Sequence, residues 1–251
     1  MNWSLVRAEA RKLRTLRSVA GLGLAAVGIA LVSLGPAWAA PAATKADWNP
    51  EMLPQAVRGQ GFVVALVVLV VGVLATAGEV RHGTLPATLL VAPRRRQVLV
   101  AKLAAVSGFA VALAVTVSAV TLGLGAAVLR SAGVDAAPFG ADSLATAAAV
   151  VAVAVAYAAL GVGLGALVRD QTAAVVGAVV WSTVVENVLP VVLRNPSLSK
   201  WMPGGGARSL LTAATPEPGL LQPAAGALLL LVVVAAIVGG GTAAFATRDV
   251  A

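Results

Sequence analysis

Cysteine is absent from this sequence, and histidine occurs once, as His82. Without thiols there is no disulfide, thiolate ligand, iron–sulfur cluster or cysteine nucleophile. One histidine cannot build a multi-histidine metal site or a zinc-protease motif. Charge is scarce as well: Asp, Glu, Lys and Arg make up 11% of the 251 residues, against about 25% in a soluble domain. So few charges cannot clothe a water-facing surface. Disorder needs the opposite composition, low hydrophobicity with high charge. What is abundant is apolar: 59% of the chain, with 26 glycines besides. The composition is that of an integral membrane protein.

A transmembrane helix needs about 20 mostly apolar residues. Six runs satisfy this: 18–39, 59–78, 98–129, 143–168, 172–193 and 223–247. They are continuous and rich in Ala, Val and Leu, without the alternation of a barrel strand. The expected fold is all-α, a six-helix membrane bundle forming one domain over 1–251. The 98–129 run is longer than a bilayer requires, so it is expected to tilt or reach into water. The first run ends in Ala37-Trp38-Ala39, which imitates a signal-peptidase site. It exceeds the usual h-region of about 7–15 residues and is read as an uncleaved span.

Lys and Arg set the orientation. Twelve of them (Arg7, Arg11, Lys12, Arg14, Arg17, Arg81, Arg94, Arg95, Arg96, Lys102, Arg169 and Arg248) fall on the side of the termini, and six fall opposite. The excess faces the cytoplasm, so both termini are expected there. The net charge of +8 is accordingly read as orientation and contact with anionic lipid, not as nucleic-acid binding. Residues 1–17 place Trp3, Val6, Ala10 and Leu13 at helical spacing, with Arg7, Arg11 and Arg14 as a separate stripe. That pattern predicts an interfacial helix, apolar face in lipid and arginines toward phosphate. It serves equally as a plain orientation signal.

The 79–97 segment interrupts the spans with chemistry. Thr84 can cap a helix with Pro86 in its first turn, and Pro93 ends it, leaving about two turns. Leu85, Leu89 and Leu90 are followed by Arg94-Arg95-Arg96. A short apolar-faced helix rimmed by charge suits docking into another protein's groove; it also suits an interfacial turn with a positive flank. In the fifth run, Glu186 and Asn187 interrupt the apolar pattern, and an intramembrane carboxylate is costly. They are candidates for a translocation path facing the bundle interior. Alternatively, Glu186 is a span-end group reaching water beside Arg194. Gly161 and Gly165 have the spacing that lets helices approach closely, and Gly239-Gly240-Gly241 suggests a packing or kink point.

Ala77-Gly78-Glu79-Val80-Arg81-His82-Gly83-Thr84, then Leu89-Leu90 and Pro93-Arg94-Arg95, resembles the cytoplasmic loop of bacterial ABC-2 type transporter permeases. Glu9, Lys12, Leu13, Arg14, Thr15, Arg17 and Ser18 resemble the opening of that family. Lys200-Trp201-Met202-Pro203-Gly204-Gly205-Gly206-Ala207 resembles its segment before the last span, with His82 and Gly206 as departures. The resemblance implies a permease subunit in the bacterial plasma membrane, pairing with an identical or different permease. It also implies that the subunit stands on separate cytoplasmic ATPase subunits, which bind ATP and Mg. Glu79, Arg81, Gly83, Thr84, Leu89, Leu90, Arg94 and Arg95 would then form the coupling surface. None of the four lysines follows a glycine, so the chain has no P-loop. No cofactor, metal or catalytic residue is expected in it. Sparse polar residues in the spans favour an amphiphilic or apolar cargo, exported by analogy. The alternative is a self-contained six-span secondary transporter or scaffold, although no inverted repeat relates the two halves.

Overall fold

A computed structural model describes residues 3–39, 48–81, 83, 95–168, 170–214 and 217–247. All regular structure among these residues is helical. The helices are α1 (Trp3–Thr15), α2 (Arg17–Ala39), α3 (Met52–Arg81), α4 (Arg95–Ser131), α5 (Ala141–Val168), α6 (Gln171–Val180), α7 (Glu186–Val192), α8 (Pro203–Leu211) and α9 (Pro223–Thr247). A π-helical segment, Trp181–Val185, joins α6 to α7, and a 3-10 segment, Pro196–Trp201, precedes α8. Six units are long and apolar enough to cross a membrane: α2, α3, α4, α5, the α6–α7 pair and α9.

Of these, α3 extends well past its apolar run, whereas α4 matches its already long run to within three residues at either end. α3 has 30 residues and begins at Met52, seven positions before the run at 59. Pro54 lies in its first turn, where a missing N–H costs nothing, and Leu53 and Val57 are buried while Gln55 is exposed. The extension is amphipathic, so apolarity alone does not reveal it. α4 has 37 residues, about 55 Å at 1.5 Å per residue.

Glycine decides how closely the spans pack. A Cβ at Gly161 would strike the Leu69 carbonyl, and one at Gly165 would lie 2.9 Å from the Val73 carbonyl. One at Gly72 would lie 2.6 Å from the Ala158 carbonyl. α3 and α5 therefore meet backbone to backbone, running parallel. Gly163, on another face of α5, meets Ile237, and a Cβ at Gly241 would lie 2.6 Å from the Gly163 carbonyl. Of the 239–241 triplet, Gly241 is the packing position; Gly239 has open space around it. Such small-residue contacts favour close helix approach in a membrane. α4 runs antiparallel to α3, with Lys102 beside Ala75 and Gly125 beside Leu53. The buried interior centres on α3, α4 and α5. The α2 and α6–α7 helices leave most of their length uncovered, as does α9.

The segment 194–222, between the fifth and sixth apolar runs, contains the 3-10 turn and α8. Three consecutive glycines are poor helix formers, each costing about 1 kcal/mol against Ala. Contacts override that preference. A Cβ at Gly205 would strike the Ser199 carbonyl, and one at Gly206 would sit 3.0 Å from the Gly226 carbonyl of α9.

Candidate functional site

The expected short helix at 84–92 lies outside the described residues, and so do Thr84, Leu89, Leu90 and Arg94. The ends of the segment are described. α3 ends in Glu79 and the exposed Arg81, and Gly83 has φ +64°, a left-handed turn that glycine adopts without strain. At the start of α4, Arg95 Nη1 donates to the Phe245 carbonyl of α9 at 3.2 Å.

Beneath these ends lies a cluster of four charges. Lys102 of α4 is 1% exposed. Its Nζ lies 2.8 Å from Glu9 Oε2 and 2.9 Å from Glu79 Oε1, and it donates to the Ala75 carbonyl at 2.9 Å. Three partners match the three N–H groups of an ammonium. Lys12 closes the other side, 2.8 Å from Glu9 Oε1 and 2.7 Å from Glu79 Oε1. Two carboxylates and two ammonium groups balance, so burial leaves no net charge. Glu79 Oε2 is buried and carries no hydrogen bond. Burial opposes the charge on Lys12, but hydrogen bonds and attraction from Glu79 and Glu9 outweigh it, holding Lys12 above the usual lysine range.

The cluster fixes α1. Leu13 is buried in the core and Ala10 packs against it, so the inner face of α1 points at the bundle. The expectation that the whole apolar stripe meets lipid is corrected accordingly. Trp3, 65% exposed, is the residue of that stripe that faces outward. From the sequence, Lys12 and Lys102 read as orientation charges and Glu9 and Lys12 as part of the family resemblance; that Glu9 pairs with both lysines is visible only in the structure. The available signal was one acidic residue in a basic helix whose other face is apolar.

Glu186 and Asn187 form the second site, in the later half of the fifth span. Ser182, Glu186 and Pro190 are buried at helical spacing along an otherwise largely exposed α6–α7 unit. The π turn at Trp181–Val185 inserts one residue into the helical register. Glu186 Oε2 accepts from Gly204 N at 2.7 Å, in the first turn of α8, where free N–H groups and the helix dipole favour an anion. A Cβ at Gly204 would collide with this carboxylate. Glu186 Oε1 is buried without a partner. Asn187 Oδ1 accepts from Arg208 Nη2 at 3.1 Å, and its Nδ2 donates to the Thr183 carbonyl at 2.9 Å. Glu186 thus faces α8; its cationic neighbour is Arg208, not Arg194. Arg194 is exposed, with φ 50° at the helix end.

The two sites join different elements: one binds α1 to α3 and α4, the other binds the fifth span to α8. Among the described residues, no three His, Cys, Asp or Glu side chains are grouped to hold a metal ion. No protein-family model matches the chain, and no curated protein matches it.

Proposed function

We propose that the chain is the transmembrane subunit of an ATP-driven exporter resembling the ABC-2 permeases, with ATP hydrolysed by a separate cytoplasmic partner. In this reading both termini and the 79–97 segment face the cytoplasm of a bacterial cell, and α1 lies at the membrane interface. A second permease subunit completes the pathway, and the cargo is amphiphilic or apolar.

The observation that supports it most is the charge cluster. Lys102 and Lys12 tie Glu9 of α1 to Glu79, at the mouth of the 79–97 segment. The two helices flanking that segment and α1 are joined by buried ion pairs, and Arg95 adds a tie to α9. A push from an ATPase on this segment therefore reaches four helices at once. α3 and α4 carry it across the bilayer, since each is longer than a bilayer requires. Leu89 and Leu90 would occupy the ATPase groove, with Arg94 and Arg95 on its rim. Glu79, Arg81, Gly83 and Thr84 would set the entry to the loop. Glu186 and Asn187 would act at the far end, through α8, where the pathway opens outward.

The test starts from the neighbouring reading frames: an ATPase with Walker motifs encoded there is expected to co-purify with this chain, and its absence favours a self-contained membrane protein. Truncating a buried interface anchor costs at least about 2 kcal/mol, roughly thirtyfold in affinity. A Leu89→Asp/Leu90→Asp double variant is expected to insert in the membrane and to lose both ATPase binding and transport. Wild-type affinity in that variant overturns the coupling role and favours a self-contained membrane protein.

A further inference from the structure

A cavity of about 630 Å³ lies between α1, the start of α2 and the cytoplasm-proximal part of α4. Its two halves differ in chemistry. Ala105, Gly108, Phe109 and Ala112 of α4, with Val19 of α2, give an apolar floor. α1 lines the other side with Val6, Ala10 and Leu13 within and Arg7, Arg11 and Arg14 at the rim, and all three arginines are exposed. Among the described residues, none of these guanidinium groups has an ion-pair partner. The acidic residue of α1, Glu9, points the other way and is consumed by Lys12 and Lys102. The positive rim is therefore left without an internal counter-charge.

The floor continues outward. Gly108, Ala112 and Val115 are exposed at one-turn spacing along α4, and a Cβ at Gly108 would meet only open space. An apolar channel thus runs from beneath the arginines onto the lipid-facing surface of a membrane-spanning helix. Its complement is a molecule with an anionic head and a long apolar tail. Basic pockets at this depth between spans bind acidic headgroups. A soluble anion would leave the floor empty, and an acidic peptide would leave the channel along α4 unused.

We infer that this groove is a discrete binding site for one anionic phospholipid, with the phosphate held by Arg7, Arg11 and Arg14 and an acyl chain seated over Gly108 and Ala112. The lipid seats against α1 on the side opposite the charge cluster and helps hold that helix on the bundle. The inference rests on α4 spanning the membrane and not on the ATPase partnership.

The test is native mass spectrometry of the delipidated full-length protein, offered equal amounts of phosphatidylglycerol and phosphatidylcholine with identical chains. Three arginines around one net-negative headgroup are expected to favour phosphatidylglycerol over phosphatidylcholine by roughly tenfold or more. Arg7→Gln/Arg11→Gln/Arg14→Gln is expected to abolish the preference, and the matching Arg→Lys triple to keep it. Gly108→Leu fills the channel and should reduce phosphatidylglycerol retention with the arginines intact. Should that variant fail to fold, the Gln triple decides alone, because its positions are exposed. A preference that survives the Gln triple overturns the site. Displacement of the lipid by equimolar glycerol phosphate overturns it as well, because the groove would then be an anion site without a lipid tail. A chain that holds the lipid yet ignores the ATPase would sink only the transporter reading.

Discussion

Glu9 and Lys102 stand 93 residues apart, and their side chains meet at 2.8 Å with both residues buried. The pair joins the first helix to the third span, where neither charge could survive alone. Removing one partner of a buried ion pair costs about 3–5 kcal/mol, because the other charge is left uncompensated.

A double-mutant cycle tests this coupling. Lys102→Met and Glu9→Gln are each expected to lower the stability of the detergent-solubilised protein, Lys102→Met more. Lys102 carries three of the cluster's contacts. The double variant should lose less than the sum of the two, by roughly 1 kcal/mol or more. Strict additivity would mean that the two side chains act independently.

Lys12 gives the cluster a pH signature. Its folded-state pKa is raised, so its stabilising share is fully present below the ordinary lysine pKa. That share is lost as pH rises through the higher folded value. Protease access to α1 should accordingly stay flat across neutral pH and increase only in strong alkali. Lys12→Met should flatten that alkaline rise. A neutral-pH transition that depends on Lys12 would contradict the arrangement.

Glycine positions divide by surroundings. Gly161→Ala would drive a methyl group into the Leu69 backbone, which cannot swing aside as a side chain can. Overpacking of this kind costs about 1–3 kcal/mol. Gly177→Ala, in a helix with open space around the added carbon, should be neutral or stabilise by roughly 0.5–1 kcal/mol. Thermal unfolding of both variants gives the comparison, and equal effects would mean that α3 and α5 are not in backbone contact.

Glu186 is expected to matter through α8. Glu186→Gln retains an oxygen for the Gly204 N–H and should be mild. Glu186→Leu removes the acceptor and should cost about 1–3 kcal/mol. Hydrogen exchange at Gly204 and its neighbours should quicken in the Leu variant alone. Unchanged exchange there would disconnect Glu186 from α8.

Six apolar helices, and the small residues through which two of them touch, were legible in the sequence. Hydropathy over about 20 residues and a four-residue glycine spacing are local properties, and a single helix carries them whatever its neighbours do. α8 was hidden because its glycines argue against a helix, and only contacts with Ser199 and α9 override that preference. The π turn was equally illegible, yet it lies directly before Glu186, in the register that sets whether that carboxylate meets lipid, water or protein. The partners of Glu9 and Lys102 depend on how α1, α3 and α4 align across long stretches of chain. A charged side chain states that it needs a counter-charge; which one it finds is decided only when the helices pack.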